Sequence, residues 1–415
     1  MKVLFINTYD NAGGAAMIRL RLDNVLRRNF NCETRTLVAY KNANDSNTYP
    51  LRNKFEEITE KIVDRVSGKL GAQYLFFPFT KTSILRKARE FTPDVINIHN
   101  THGGYFQTDL LKPLSKVAPI VWTLHDMWSF TGNAAHTFGD EGWKTMQNPS
   151  KLKSVPPEIG INTGRYLLRH KKSVYAQSDL TLVTPSKWLF NLAKVSPVFE
   201  GKRIVHINNG LDLNLFKPGD GSAIRTRLGI PRDARVLMFS AEKLHGNPWK
   251  GGRDLIDILT ELAAMNNDMP IHLLAVGVGG VEDNALDSSF SIHNVGFVKS
   301  QDEMREYYRA ADLFVYPTKA DNLPNVLVEA IACGLPCATF DVGGCKEIIR
   351  DGYNGIIADV NTAPVKIHDF LQTPEKILEM KNNARKHAET FFSDNDMGVA
   401  YMNLFNSLQW EGAHR

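Results

Sequence analysis

Asp321 and Glu329 are two carboxylates eight positions apart in the stretch "DNLPNVLVEAIACGLP". Pro324, between them, suits the first turn of a helix, where its missing N–H costs nothing. Gly334 suits the residue just past a helix end, where a left-handed backbone is common. The expected helix is Pro324–Cys333, with Asp321 in the loop ahead of it and Glu329 inside it. At 1.5 Å per residue, Glu329 stands about 7 to 8 Å along the axis from Pro324. Carboxylates that far apart do not easily share one group. They can hold the two ends of an elongated polyhydroxylated ligand, such as a sugar and a ribose joined by a diphosphate. The helix N-terminus between them favours an anion such as a phosphate.

Other polar groups gather where apolar runs end. Gly13-Gly14 follow "KVLFINT", His99 follows "DVINI", His125-Asp126 follow "PIVWTL", and Lys250 sits before two glycines in "PWKGG". Gly13-Gly14 lack the third glycine and the ribose-binding acid of a dinucleotide fingerprint. His99 reads equally as a ligand contact or as a satisfied core histidine at a strand end. His102 reads as structural or solvent-facing. Asp394-Asn395-Asp396 spells a metal-binding pattern, yet it follows no core strand and opens a helical segment, where Asp is a common cap. No other acid pair suggests a magnesium site, so no metal is expected. Four cysteines (Cys32, Cys333, Cys337, Cys345) make neither a disulfide framework nor a zinc site.

The elements that must position these groups show a rhythm. Apolar runs "KVLFINT", "TRTLVAY", "DVINIHN", "PIVWTLHD" and "LTLVTPS" alternate with amphipathic segments. Then "RVLMFSAE", "IHLLAVG", "LFVYPT", "PCATFDVGG" and "GIIAD" do the same. Runs without strict alternation suit strands buried on both faces, joined by helices into parallel sheets. The rhythm restarts near "INNGLDLNLFKPGDGSAI", a linker composition. The 415 residues therefore read as two doubly wound α/β domains. Hydrophobic residues at 43% and charged residues at 23% are ordinary for a globular chain. A net charge of +4, with no basic stripe interleaved with aromatics, excludes a dedicated nucleic-acid binder. Neither a signal peptide nor a membrane span is recognisable, which predicts a cytoplasmic protein.

The stretch "DNLPNVLVEAIACGLPCATFDVGG" resembles the E-x7-E segment of the retaining glycosyltransferases of family 4, which have the GT-B fold. So do "FINTYDNAGGAA", "PDVINIHNTHGGYF", "WTLHDMWSFTG", "VTPSKWL", "HINNGLDLNLFKP", "WKGG", "LLAVGVG" and "NVGFVKSQDEMREYYRAADLFVYPT", in family order over nearly the whole chain. The wording around His125 most resembles enzymes that build capsules, exopolysaccharide or lipopolysaccharide. The resemblance implies two Rossmann-like domains facing across a cleft: an acceptor-binding domain over 1–208, a donor-binding domain over 209–385, and a helix over 386–415 returning to the first. It implies a metal-independent, retaining hexosyl transfer with no cofactor. A UDP- or GDP-sugar is the co-substrate and a glycan or lipid-linked glycan the acceptor.

Residue by residue, Glu329 would take the ribose hydroxyls and Asp321 the transferred sugar. Amides of Asn322, Leu323, Asn325 and Val326, around Pro324, would meet sugar and phosphate. Lys250 would steady the leaving diphosphate, and the turn at Phe297-Val298 would hold the base. Gly13 and Gly14 would admit the phosphates, and His125 with Asp126 would stand near the reacting centre. His99 and Trp128 would contact the acceptor. The chain departs from the family in two places: Asp321 stands where Glu is common, and Ala241-Glu242 where Gly-Arg is common, leaving Lys243 or Arg253 as substitutes.

"KFEEITEKIVDRVSGKLGAQYLFFPFTKTSILRKAREF" and "RYLLRHKKSVYAQ" are basic and amphipathic. They read as helices packed on the first domain, or as a peripheral contact with an anionic membrane face. Two rival functions also fit the sequence. A nucleotide-sugar epimerase of the same fold would need no acceptor. A glycan- or nucleotide-binding subunit without turnover would explain the missing arginine.

Overall fold

The computed structural model describes residues 1–150, 157–241, 248–265, 269–277 and 290–413. The chain divides into two units, Met1–Gly210 with Asp394–Arg415, and Leu211–Ser393.

The first unit carries β1 (Lys2–Tyr9), β2 (Glu33–Tyr40), β3 (Thr48–Pro50), β4 (Val95–Ile98), β5 (Ile120–Thr123), β6 (Leu180–Thr184) and β7 (Arg203–His206). They form one sheet in the order β3-β2-β1-β4-β5-β6-β7, with every pair parallel. Along β1, Leu4 and Ile6 enter one core while Val3 and Phe5 enter another on the opposite face. A strand covered on both faces has no polar side to alternate with, which is why its sequence is a continuous apolar run.

The second unit carries β8 (Arg235–Ala241), β9 (Ile271–Gly277), β10 (Phe290–Gly296), β11 (Leu313–Tyr316), β12 (Cys337–Phe340) and β13 (Gly355–Ala358). Their order is β10-β9-β8-β11-β12-β13, again all parallel. Val236 and Met238 of β8 pack on one side, Leu237 and Phe239 on the other. In both sheets strand order reverses beside the first strand of the unit. That reversal leaves a crevice at the carboxyl ends of β1 and β4, and of β8 and β11.

The helix Asn325–Ala332 begins one residue later than expected, because Pro324 keeps an extended backbone (ψ 117°) and stands as its N-cap rather than in its first turn. Its far end follows the sequence. Gly334 adopts φ +75°, its amide meets Ile331 O at 3.0 Å, and the Leu335 amide meets Ala330 O at 2.9 Å. That is a Schellman ending, and it satisfies two of the orphan carbonyls.

The return to the first unit begins at Asp394 rather than 386. The preceding helix, Pro374–Phe391, seats Met380, Ala384 and Ala388 in the cores of the second unit. The last helix, Asp394–Ala413, packs Met397, Tyr401 and Phe405 with Val3 and Phe5 of β1. Asp394 and Asp396 lie in its first turn, where acids complement the helix dipole. Among the described residues no helix is long and apolar enough to cross a membrane.

Candidate active site

In the second unit, β11 ends at Tyr316 and the chain turns through Pro317–Leu323 into the helix Asn325–Ala332. Lys250 reaches that turn from the loop after β8. Its ammonium donates to Tyr316 Oη at 2.8 Å and to Asp321 Oδ2 at 3.1 Å, and Tyr316 Oη donates to the same Oδ2 at 2.9 Å. The three groups close a triangle. Burial, then the Asp321 charge, raises the Tyr316 phenol well above its ordinary range, so it stays a neutral donor.

Two glycines make the triangle feasible. Gly251 (φ +68°) packs so tightly on the turn that a Cβ would lie 1.8 Å from Pro317 O. Gly343 (φ +55°) does the same to Asp321 O at 1.6 Å, and the Gly344 amide donates to Asn322 O at 2.8 Å. Trp249 O accepts from the Lys319 amide at 2.8 Å and from Thr318 Oγ1 at 3.1 Å. The loop carrying Lys250 and the loop carrying Asp321 are thus one rigid piece. The Leu327 and Val328 amides turn back on Pro324 O, leaving the positive end of the helix dipole at Asn325 and Val326. One turn on, half-buried Glu329 accepts from Tyr308 Oη at 3.3 Å. Phe297 is exposed directly after β10, and Val298 leans on the core. Arg253 is exposed in the first turn of the helix Gly252–Met265, while Glu242 and Lys243 lie outside the described residues.

The first unit builds a second polar cluster at the ends of β4 and β5. Asn97 Nδ2 donates to Val121 O at 2.9 Å, which turns its Oδ1 toward His99 Nε2 at 3.0 Å. His99 therefore carries its proton on Nε2 and accepts at Nδ1 from His125 Nε2, 2.9 Å away. The chain of bonds leaves His125 with an unprotonated Nδ1, an acceptor for hydroxyls. Burial lowers His125 to about 4 and His99 well below its ordinary value, so both are neutral imidazoles at pH 7. Asp126 accepts from His102 Nε2 at 2.6 Å and from the Trp128 amide at 2.8 Å. Burial raises its pKa, but His102 and those hydrogen bonds bring it below the usual range.

His99 and Trp128, expected at the acceptor, are 1% and 2% exposed. They stand behind His125 and Asp126 and orient them. Gly13 (φ +82°) is the N-cap of the helix Gly14–Phe30, with nothing within 4 Å of a Cβ, so it is the backbone turn that requires glycine there. The loop ahead is held by Arg19, which donates to Asp10 O at 2.5 Å, and by the Asp10 carboxylate, which accepts from Asn42 and Ala43.

Sequence reasoning missed several partners. His102 is paired with Asp126 rather than solvent-facing. Tyr316 and Tyr308 hold the two carboxylates of the second unit. Lys171, fully buried, donates to Trp128 O and Thr131 O and lies 3.7 Å from the Trp128 ring. Of these, only Tyr316 left a trace, as the polar end of an apolar run.

The arrangement joins cation, carboxylate and helix terminus. Residues 234–372 match the family "Glycosyl transferases group 1". A D-inositol 3-phosphate glycosyltransferase of Streptosporangium roseum is 31% identical over 329 residues, covering 70% of this chain and 74% of its own. The chain belongs to the group 1 glycosyltransferases. Among solved structures, sucrose-phosphate synthase of Thermosynechococcus elongatus superposes with a TM-score of 0.67 at 16% identity, over 98% of both chains. Anabaena Alr3699/HepE in complex with UDP superposes with a TM-score of 0.65 at 18% identity, over 98% of this chain and 100% of that one. Both are likenesses of fold, and the glycosyltransferase has the GT-B fold of those neighbours.

Proposed function

We propose that this glycosyltransferase moves a hexose from a UDP- or GDP-sugar to a hydroxyl of a glycan or lipid-linked glycan, with retention and without a metal, in surface-polysaccharide biosynthesis on the cytoplasmic side. The Lys250–Tyr316–Asp321 triangle at the mouth of the helix Asn325–Ala332 carries the reading. That a UDP complex exists for a neighbour of like fold is consistent with it.

In this reading the second unit binds the donor. The diphosphate lies at the helix mouth, and the Lys250 ammonium, neutralised by Asp321 before binding, turns to the developing charge on the leaving phosphate. Asp321 then accepts from hydroxyls of the transferred sugar, and Glu329 from the ribose. The base lies against the Phe297-Val298 turn. The first unit binds the acceptor. His125 Nδ1 accepts from a donor-sugar hydroxyl, and Asp126 with His102 orients the incoming hydroxyl. Same-face attack lets the departing phosphate take the acceptor proton, so neutral His125 need not act as a strong base.

Thermal stability with UDP, GDP and ADP, with and without magnesium, tests the reading beside a Glu329→Ala variant. A ligand at a hundred times its dissociation constant adds about 2.7 kcal/mol, a shift of a few degrees. A shift with one nucleotide, independent of magnesium and lost in the variant, is expected. No shift with any nucleotide would overturn the donor site and favour the binding-subunit reading.

A further inference from the structure

The helix Gly164–Ala176 buries Gly164, Leu167, Leu168, Lys171, Val174 and Tyr175, at the three- and four-residue spacing of an apolar stripe. One position of that stripe is a lysine. Its hydrogen bonds among the described residues go to backbone carbonyls and to no carboxylate: Trp128 O at 2.6 Å, Thr131 O at 2.9 Å and Gly132 O at 3.5 Å. The ring of Trp128 covers a further side, its centroid 3.7 Å from the nitrogen. Such a cage of acceptors suits an ammonium with three protons and offers no donor to the lone pair of a neutral amine. Burial pulls the pKa well below the ordinary lysine value, and the charge of Asp126 resists. An apolar side chain of like length would fill the space without burying a charge. What the ammonium adds is direction, because the carbonyls of one turn must face it.

That turn follows Asp126. Trp128 is fixed at both backbone ends and at its indole: its amide donates to Asp126 Oδ1 at 2.8 Å, its carbonyl accepts from Lys171, and Nε1 donates to Gln73 Oε1 at 3.0 Å. One helical turn beyond Lys171, Tyr175 Oη donates to Ser129 O at 2.8 Å. Gly132 and Gly164 let loop and helix touch, since a Cβ on Gly132 would lie 2.6 Å from Gly164 Cα. The helix thus grips the turn along its length. Asp126 stands at the head of that turn, and its other oxygen accepts from His102 Nε2 at 2.6 Å.

We propose that Lys171 is a positioning residue of the transfer reaction: by holding Trp128 from behind it fixes the Asp126 carboxylate, and with it the His102 pair, where the acceptor hydroxyl is received. The role rests on the reading above that the first unit binds the acceptor. The pairing it predicts is nevertheless measurable with no substrate at all.

The test uses the full chain with 15N-labelled histidine and the variants Lys171→Met and Lys171→Gln, the second keeping two donors without the charge. In the wild type, long-range 1H–15N spectra should show the His102 Nε2–H shared with Asp126, assigned from a His102→Gln sample. That signal should be lost in Lys171→Met and weakened in Lys171→Gln, while the signals of the His272–His293 pair in the second unit stay unchanged. Kinetics with UDP-glucose or GDP-mannose as donor and octyl hexosides as acceptors give the second readout. The acceptor KM should rise about tenfold or more in Lys171→Met, with the donor KM unchanged. A merely structural role would instead lower kcat through loss of folded enzyme and move neither KM. A wild-type His102 signal in both variants would overturn the proposal whatever the kinetics, and so would a lost signal with an unchanged acceptor KM. If Lys171→Met does not fold by circular dichroism, Lys171→Gln decides by the same two readouts. Absence of any nucleotide response with the His102 change intact would sink the donor site alone.

Discussion

Lys250 and Asp321 meet twice, directly at 3.1 Å and through the hydroxyl of Tyr316, which is bonded to both. The cation is therefore held by two partners with its charge balanced by Asp321, and in the proposed reading it turns from them to the diphosphate. Lys250→Ala removes the cation and leaves Asp321 and Tyr316 in place. Loss of one such electrostatic contact typically lowers kcat by about 10² to 10³. Tyr316→Phe removes only the bridge, and a fall of about tenfold is expected. Steady-state kinetics on folded variants decide between them. Equal losses would mean that the hydroxyl, not the ammonium, faces the phosphate.

Glu329 and Tyr308 make a second pair with a different signature. If Glu329 takes ribose hydroxyls, Glu329→Gln weakens nucleotide binding by about 1.5 to 3 kcal/mol, the worth of a hydrogen bond to a charged group. Tyr308→Phe removes one hydrogen bond to the carboxylate and costs less. Calorimetric titration with the nucleotide that stabilises the enzyme measures both. Wild-type affinity in Glu329→Gln would remove Glu329 from the site.

Gly251 and Gly343 should tolerate no side chain. Each has positive φ, and a Cβ at either would fall within 2 Å of a backbone oxygen of the Asp321 loop or the Pro317 turn. Gly343→Ala must displace the Asp321 carbonyl and with it the triangle. Activity should fall at least a hundredfold at a cost of about 1 to 3 kcal/mol in stability. Gly13→Ala has open space around its Cβ and should cost less. Chemical denaturation and activity of the three variants test the ranking.

Ten apolar runs of the sequence are strands, and among the described residues three strands escaped: β3, β7 and β10. All three are sheet edges. An edge strand has one neighbour and thinner cover, and β7 is exposed or half-buried throughout, so no apolar run marks it. The carboxylates, Lys250 and the glycines were legible because their spacing relative to strand and helix ends is local. The pairing of His102 with Asp126, and the burial of His99 and Trp128, depend on which loops the sheet brings side by side. That information lies in β4 and β5 being neighbours, not in any short stretch.

Acid should weaken the first unit through its histidines. His125 is lowered to about 4 by burial, against an ordinary value of 6.5, and His99 is lowered well below its ordinary value for the same reason. Both are neutral when folded and take up protons more readily when unfolded. Their contribution is fully present above about pH 6.5 and is lost as the pH falls toward the folded value near 4. For His125 alone the shift corresponds to about 3 kcal/mol across that window. Stability measured by denaturant at steps from pH 7.5 to 4.5 should therefore slope downward, and His125→Asn should flatten part of the slope. The same variant separates stability from chemistry. A neutral hydroxyl acceptor does not ionise between pH 5 and 8, so kcat should show no inflection near 6.5 arising from His125. An inflection there that disappears in His125→Asn would mean that the imidazole titrates in the enzyme–substrate complex and serves as a base.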